Sequence, residues 1–197
     1  MELSNVRAQE TEAWATKCCE WHEIRMHAPV SFHATLGAMH GPVEARIREL
    51  VEGGGGEAIF ATRFFPLVEL DSGARVGLDA QACFAITLPD ALCTYAPEAG
   101  HMFHEVLEWK RSKFDDALEE GAAVHGLAPI EVSLSFPATG IVRAVLVKNM
   151  HYTTRLALQW LRPTELRDVQ VEIRHIVQDR ATPTQLRDFA ARLLVRE

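Results

Sequence analysis

The stretch from Ile59 to Leu88 reads IFATRFFPLVELDSGARVGLDAQACFAITL, and it decides the fold class. Ile59 to Leu70 is rich in Phe, Thr and Val, and Ala74 to Leu88 mixes alternating with continuous apolar residues. Both runs carry strand signatures. Asp71-Ser72-Gly73 is a turn cluster between them, and Pro89-Asp90 breaks the second run. The middle of the chain therefore reads as β.

Helical patterns lie on both sides. Upstream, Asn5 to Trp21 is free of Gly and Pro and reads as a helix, and Pro29 interrupts the chain beyond it. A second helix starts at Pro42, where a missing N–H costs nothing. Val43, Ile47, Leu50 and Val51 then recur at helical spacing, and the run Gly53 to Gly56 ends it. That run comes after a helix and before a strand, the reverse of a phosphate-cradling loop, so it reads as a connector.

Downstream, a long helix is predicted from about Glu98 to Glu120, with Gly121 at its C-terminal cap. Pro129 to Phe136 is a short apolar element, and Gly140 to Val147 fits strand or helix by period alone. Tyr152 to Leu161 and Glu165 to Gln178 read as helical. Thr182, Pro183 and Gln185 predict a capping box opening a last helix. Helices, then β, then helices predict an α+β fold over residues 1–197: one domain, its mixed or antiparallel sheet flanked by helices.

The chain has 197 residues and a formal net charge of -7, which argues against a nucleic-acid partner because an acidic surface repels phosphate backbones. A local basic pocket for a small phosphorylated ligand is compatible with that balance. Cys18 and Cys19 are adjacent, a poor geometry for pairing, and with Cys83 and Cys93 they read as thiols of a reducing compartment. The polar N-terminus shows no signal peptide, and no apolar run is expected to reach the length of a membrane span. A cytoplasmic location is the expectation.

The segment PIEVSLSFP, ATGIVRAVLVKN, MHYTTRLALQWLR and PTELRDVQVEIRHI resembles the flavin-dependent thymidylate synthases near their C-terminus. The shared features are a Pro-x-Glu element, a step from Pro137 to Asn149, a helix ending in Leu161-Arg162, and Gln170, Glu172, Ile173 and Arg174 as Gln-x-Glu-Ile-Arg. IRELVEGGGGEAIF and ATRFFPLVE echo the family's helix, glycine-rich turn and Phe-rich strand. The resemblance implies the family's fold, a single thymidylate-synthase-complementing-like domain, and assembly as a homotetramer with active sites between subunits. It implies FAD as cofactor, a small-molecule deoxyuridylate-like nucleotide as methyl acceptor, a folate methylene donor and NADPH. Arg162 matches a nucleotide-contacting Arg. Asn149 matches a flavin-contacting Asn, unless a two-residue insertion falls earlier, in which case His151 takes that place.

The chain departs from the family at its hallmark. An Arg-His-Arg with spaced serines and an Arg-Tyr should fall near Val76 to Tyr95, where this chain reads VGLDAQACFAITLPDALCTY, with no basic residue. The family's phosphate-binding Arg in the Pro-x-Glu element maps onto Ser133. A second reading therefore stands beside the first: the same scaffold, repurposed for another ligand without FAD or without thymidylate synthase activity.

Apart from the family, Arg143, Lys148, Arg155 and Arg162 lie close in sequence, and guanidinium forks suit phosphate or uracil. Arg155 and Arg162 are spaced to share one helix face, as an anion pocket or as a solvated basic face. Glu165, Arg167, Asp168, Glu172 and Arg174 look like intrahelical ion-pair material. On the predicted long helix His101, His104, Glu105 and Glu108 would share a face able to bind Zn or Fe, with His22, Glu23, His27, His33 and His40 as further ligands, although no tight metal signature is present. Cys83 and Cys93 read as small buried hydrophobes, and Trp109 and Trp160 as packing residues.

Overall fold

The computed structural model describes residues 41–195. The expected first helix and Cys18, Cys19, His22, Glu23, His27, His33 and His40 lie outside the described residues. Helix α1 (Pro42–Glu52) begins at its proline and presents Val43 and Ile47 to the core. Five strands come next: β1 (Glu57–Ile59), β2 (Thr62–Glu69), β3 (Arg75–Asp79), β4 (Phe84–Leu88) and β5 (Ala91–Thr94). They pair in sequence order as one antiparallel sheet. The fold is α+β, as the order of patterns predicts.

Pro66 sits inside β2, where it would normally cost a ladder bond. The β2–β3 register shifts between Pro66 and Val68, and this irregularity accommodates the proline. Two turns in this region carry little sequence signal. Ile59 to Leu70 is a hairpin, whose two turn residues Phe60 and Ala61 both have positive φ, 44° and 64°. Within Ala74 to Leu88 the chain reverses at Asp79. The carboxylate of this buried residue accepts the backbone N–H groups of Gln81 and Cys83, both at 2.9 Å, and the Thr94 hydroxyl at 3.0 Å.

The expected long helix is two elements. A 3-10 helix spans Pro97–Glu108, the chain turns extended at Trp109 and Lys110, and α2 runs Arg111–Val124. The break has a partner distant in sequence: the Trp160 indole N–H donates to the Trp109 carbonyl at 3.0 Å, so that oxygen is taken out of any helical ladder. Gly121 is no cap. It lies inside α2, pressed on β2 so closely that a Cβ there would stand 2.0 Å from the Leu67 carbonyl oxygen.

Helices α3 (Pro129–Ser135), α4 (Ala138–Lys148) and α5 (His151–Trp160) complete the middle of the helical half. The ambiguous Gly140 to Val147 is thus helical. The expected helix over Glu165 to Gln178 divides into a second 3-10 helix (Pro163–Val169) and α6 (Gln170–Gln178). The final helix α7 (Thr184–Leu194) lacks the predicted capping box, because the Thr182 hydroxyl donates instead to Asp179 at 2.9 Å.

One apolar core runs from Val43 on α1 to Ala190 on α7. Its aromatic centre joins Phe84, Phe114, Phe136 and Trp160, with Phe114 and Phe136 ring centroids 4.9 Å apart. The expectation that no apolar run reaches membrane-span length is corrected: Pro129–Lys148 is 20 residues long and contains an 18-residue window of mean hydropathy 1.5. It is interrupted at Phe136-Pro137, and Val132, Ile141, Val142, Val145 and Leu146 from it are buried in the core.

Candidate functional site

Four charged side chains, from α2 and from the second 3-10 helix with its N-cap residue, meet beside Trp160. Arg111, the first residue of α2, donates through Nε to both oxygens of Asp115 one turn on, at 2.9 and 3.1 Å. Its other nitrogens reach Glu165 of the second 3-10 helix at 3.2 and 3.4 Å. Its guanidinium carbon lies 4.3 Å from the Trp160 ring centroid, a cation–π contact made on a buried indole. Asp115 accepts a second arginine, Arg162, through Nη2. Asp115 is 8% exposed at its side chain and Arg162 49%, so the acid is the inner member of that pair and the guanidinium the outer one.

Arg162 is fixed at its main chain as well. Its N–H donates to Glu165 Oε2 at 2.9 Å, and its carbonyl accepts the Glu165 N–H at 2.9 Å. Glu165 therefore caps the second 3-10 helix while pairing with Arg111. Two arginines face two carboxylates here. Alongside, Lys113 Nζ rests 3.6 Å from the Trp109 ring centroid. The buried Trp109 Nε1 has no hydrogen-bond partner among the described residues.

The residues singled out in the sequence are dispersed differently from the expectation. Helix α5 ends at Trp160, so Arg162 leaves it and does not share a helix face with Arg155, which is exposed on α5. Arg143 on α4 turns to the second 3-10 helix and α6, donating to the Asp168 carbonyl and pairing with Glu172 at 3.2 Å. The acids Glu165 and Glu172 thus pair across elements rather than along one helix, while Arg174 donates to the Gln170 side chain at 3.0 Å. Arg111 and Asp115 were missed in the sequence. Their i, i+4 spacing is legible as a helix pair, but nothing local points to Arg162, which is 47 residues from Asp115.

Asn149 stands just past α4 with φ 48°, a left-handed position that asparagine tolerates. Its side-chain amide donates to Asp179 at 2.8 Å and to Thr182 at 3.0 Å, while Oδ1 is buried with no hydrogen-bond partner among the described residues. The Asp179 carboxyl is held below its ordinary range by the Ala181 N–H first, then by the Thr182 hydroxyl, with smaller help from Asn149 and the nearby His151. His151 is exposed at the start of α5.

His101, His104, Glu105 and Glu108 lie on the first 3-10 helix, whose three residues per turn align i with i+3 and not with i+4. The two histidines stack in one row and the two glutamates in the next, so the four do not share the expected face. Glu105 accepts from the Ser72 hydroxyl, and Glu108 from the Tyr152 hydroxyl at 2.8 and 2.9 Å. Among the described residues no three His, Cys, Asp or Glu side chains gather as they would around a metal ion. Burial pushes both imidazoles below their ordinary pKa. Cys83 is half-buried, and its thiol is pushed up to about 11 by burial and then by Asp79, the opposite of nucleophile activation.

No protein-family model matches the chain, and comparisons with curated proteins and with solved structures return no match. The fold and the charge network define the class: an α+β protein in which a buried aspartate and a partly buried glutamate present a half-exposed arginine.

Proposed function

We propose that the chain binds an anionic pyrimidine nucleotide through Arg162. One observation carries this reading: Arg162 is a half-exposed guanidinium set on a buried carboxylate that a second arginine already balances. Such an arginine keeps donors available for a phosphate or a uracil edge. The C-terminal resemblance to the flavin-dependent thymidylate synthases supports the same residue. In its fuller form the reading is an FAD-dependent enzyme transferring a methyl group to a deoxyuridylate-like substrate. It would be a cytoplasmic homotetramer, with Arg155 as an outer cation and Asn149 or His151 toward the flavin.

The residues present fit that cofactor poorly. Asn149 Oδ1, buried and without a partner among the described residues, suits a ring N–H donor. The stretch Val76 to Tyr95, where the family's phosphate-holding cations stand, holds β4, β5 and all of β3 after its first residue, Arg75, and carries no basic residue.

That observation favours the second reading, a scaffold of this kind repurposed to hold a nucleotide-like anion without FAD. The two separate in one series. A visible absorption spectrum of the purified protein with and without added FAD tests the cofactor, and calorimetric titration with deoxyuridine monophosphate tests the anion. A flavin spectrum supports the enzyme. A colourless protein that still binds the nucleotide supports repurposing. Nucleotide affinity unchanged by Arg162→Gln removes both.

A further inference from the structure

Arg162 is the residue asked to touch the ligand, and it is gripped from two directions. Asp115 holds the guanidinium through Nη2, and Glu165 holds the main chain on both its N–H and its carbonyl. Arg111 balances the two acids from behind, packed against the Trp160 indole. Among the described residues, Nε and Nη1 of Arg162 donate to no acceptor. A long side chain on an exposed loop would ordinarily sample many rotamers and lose that freedom on binding. Here the buried acid has already chosen one. We infer that Asp115 and Glu165 are positioning residues, which preset Arg162 to receive a planar or tetrahedral oxyanion on its unspent donors. This rests on the reading that Arg162 anchors the ligand.

The arrangement also has an economy of charge. Were Arg111 absent, the two carboxylates would outnumber Arg162 and repel an anion. With Arg111 in place, two positive groups face two negative ones, and both acids act on Arg162 mainly through hydrogen-bond direction. Lys113, on the neighbouring Trp109 ring, adds a further positive charge. The ligand class that fits is a singly or doubly charged phosphate or carboxylate.

A double-mutant cycle on binding tests this, using calorimetry on the full-length protein with deoxyuridine monophosphate and, separately, inorganic phosphate. Arg162→Gln is expected to weaken the nucleotide about tenfold or more. Asp115→Asn is expected to weaken it about fivefold, the ordering cost of one long side chain. The double variant should be no weaker than Arg162→Gln alone, because a positioning residue has nothing left to position. Arg162→Lys keeps the charge without the fork, and in that background Asp115→Asn should again have little effect.

A full fivefold loss from Asp115→Asn that persists in the Arg162→Gln background overturns the inference and leaves the Arg162 reading standing. So does an Asp115→Asn protein that binds like wild type while Arg162→Gln does not. Wild-type protein that binds neither probe, or an Arg162→Gln variant that binds as wild type, overturns the reading and the inference together. Glu165→Gln is the second variant, since it loosens the main-chain grip without unpairing Asp115. It should weaken binding about twofold, and only when Arg162 is present. Near-ultraviolet circular dichroism of each variant certifies the folded state being titrated.

Discussion

The Arg111 guanidinium lies 4.3 Å from the centroid of the Trp160 indole and commits its nitrogens to Asp115 and Glu165. It ties α2 to the second 3-10 helix across a buried aromatic surface. Both Arg111 and Asp115 are nearly buried, 13% and 8% exposed at their side chains.

Arg111→Met should therefore cost about 3 kcal/mol, because it strands two carboxylates beside a single arginine. The solvent-exposed pair Arg48–Glu44, at 2.7 Å on α1, is the control, and Arg48→Met should cost about 0.5 kcal/mol or less. Urea denaturation of the two variants checks the contrast. Equal losses would mean that the buried network does not hold α2 in place.

Gly121 is the contact between α2 and β2. A methyl group there would stand 2.0 Å from the Leu67 carbonyl oxygen and 2.6 Å from its Cα, both backbone atoms that cannot rotate away. Gly121→Ala gains helix propensity of about 1 kcal/mol but must push strand and helix apart, so the net expectation is a loss of about 2 kcal/mol or more. A thermal midpoint at or above wild type would show that the two elements do not pack this closely.

The fold class was legible because the apolar runs of β2, β3 and β4 and the periodic helices announce themselves. Boundaries governed by distant partners were not. Trp109 leaves the helix because Trp160, 51 residues away, takes its carbonyl. Thr182 has the look of a helix cap but serves Asp179 and Asn149 instead. At the site, Arg162 was visible as one of a group of cations, expected on a helix face with Arg155, and its meaning changed with Asp115 beneath it. No local period encodes that meeting, since it depends on how α2 is laid against the end of α5.

Phe60 and Ala61 pass through the β1–β2 turn with φ 44° and 64°, a conformation that L residues with a Cβ adopt at a cost. Asparagine followed by glycine is the pair this two-residue turn favours. Phe60→Asn with Ala61→Gly should raise stability by about 1–2 kcal/mol, and the exposed Phe60 ring gives up little packing. Chemical denaturation checks it. An unchanged or lower midpoint would show that the Phe60 ring makes contacts that outweigh the backbone strain.

Acid should act on the protein in two windows. His101 is buried, with Lys148 and then His104 adding to the downward shift, and His104 is held neutral chiefly by burial. Glu105 and Glu108 pull the other way at His104 without overcoming it. A histidine whose folded pKa lies below its unfolded value of about 6.5 contributes stability in full above that pH. The contribution falls as the pH drops through 6.5 toward the folded pKa, because the unfolded chain takes up protons that the folded one refuses. Asp179 has the opposite chemistry and the same sign: its depressed pKa stabilises the folded state above 3.8, and the benefit is lost as pH falls below that value toward the folded pKa. The urea midpoint should therefore decline first from pH 6.5 downward and again below 3.8. His104→Gln should flatten the upper slope, and Asp179→Asn the lower one. An upper slope untouched by His104→Gln would mean that this imidazole takes up protons alike in the folded and unfolded chain, and that burial on the 3-10 helix does not govern it.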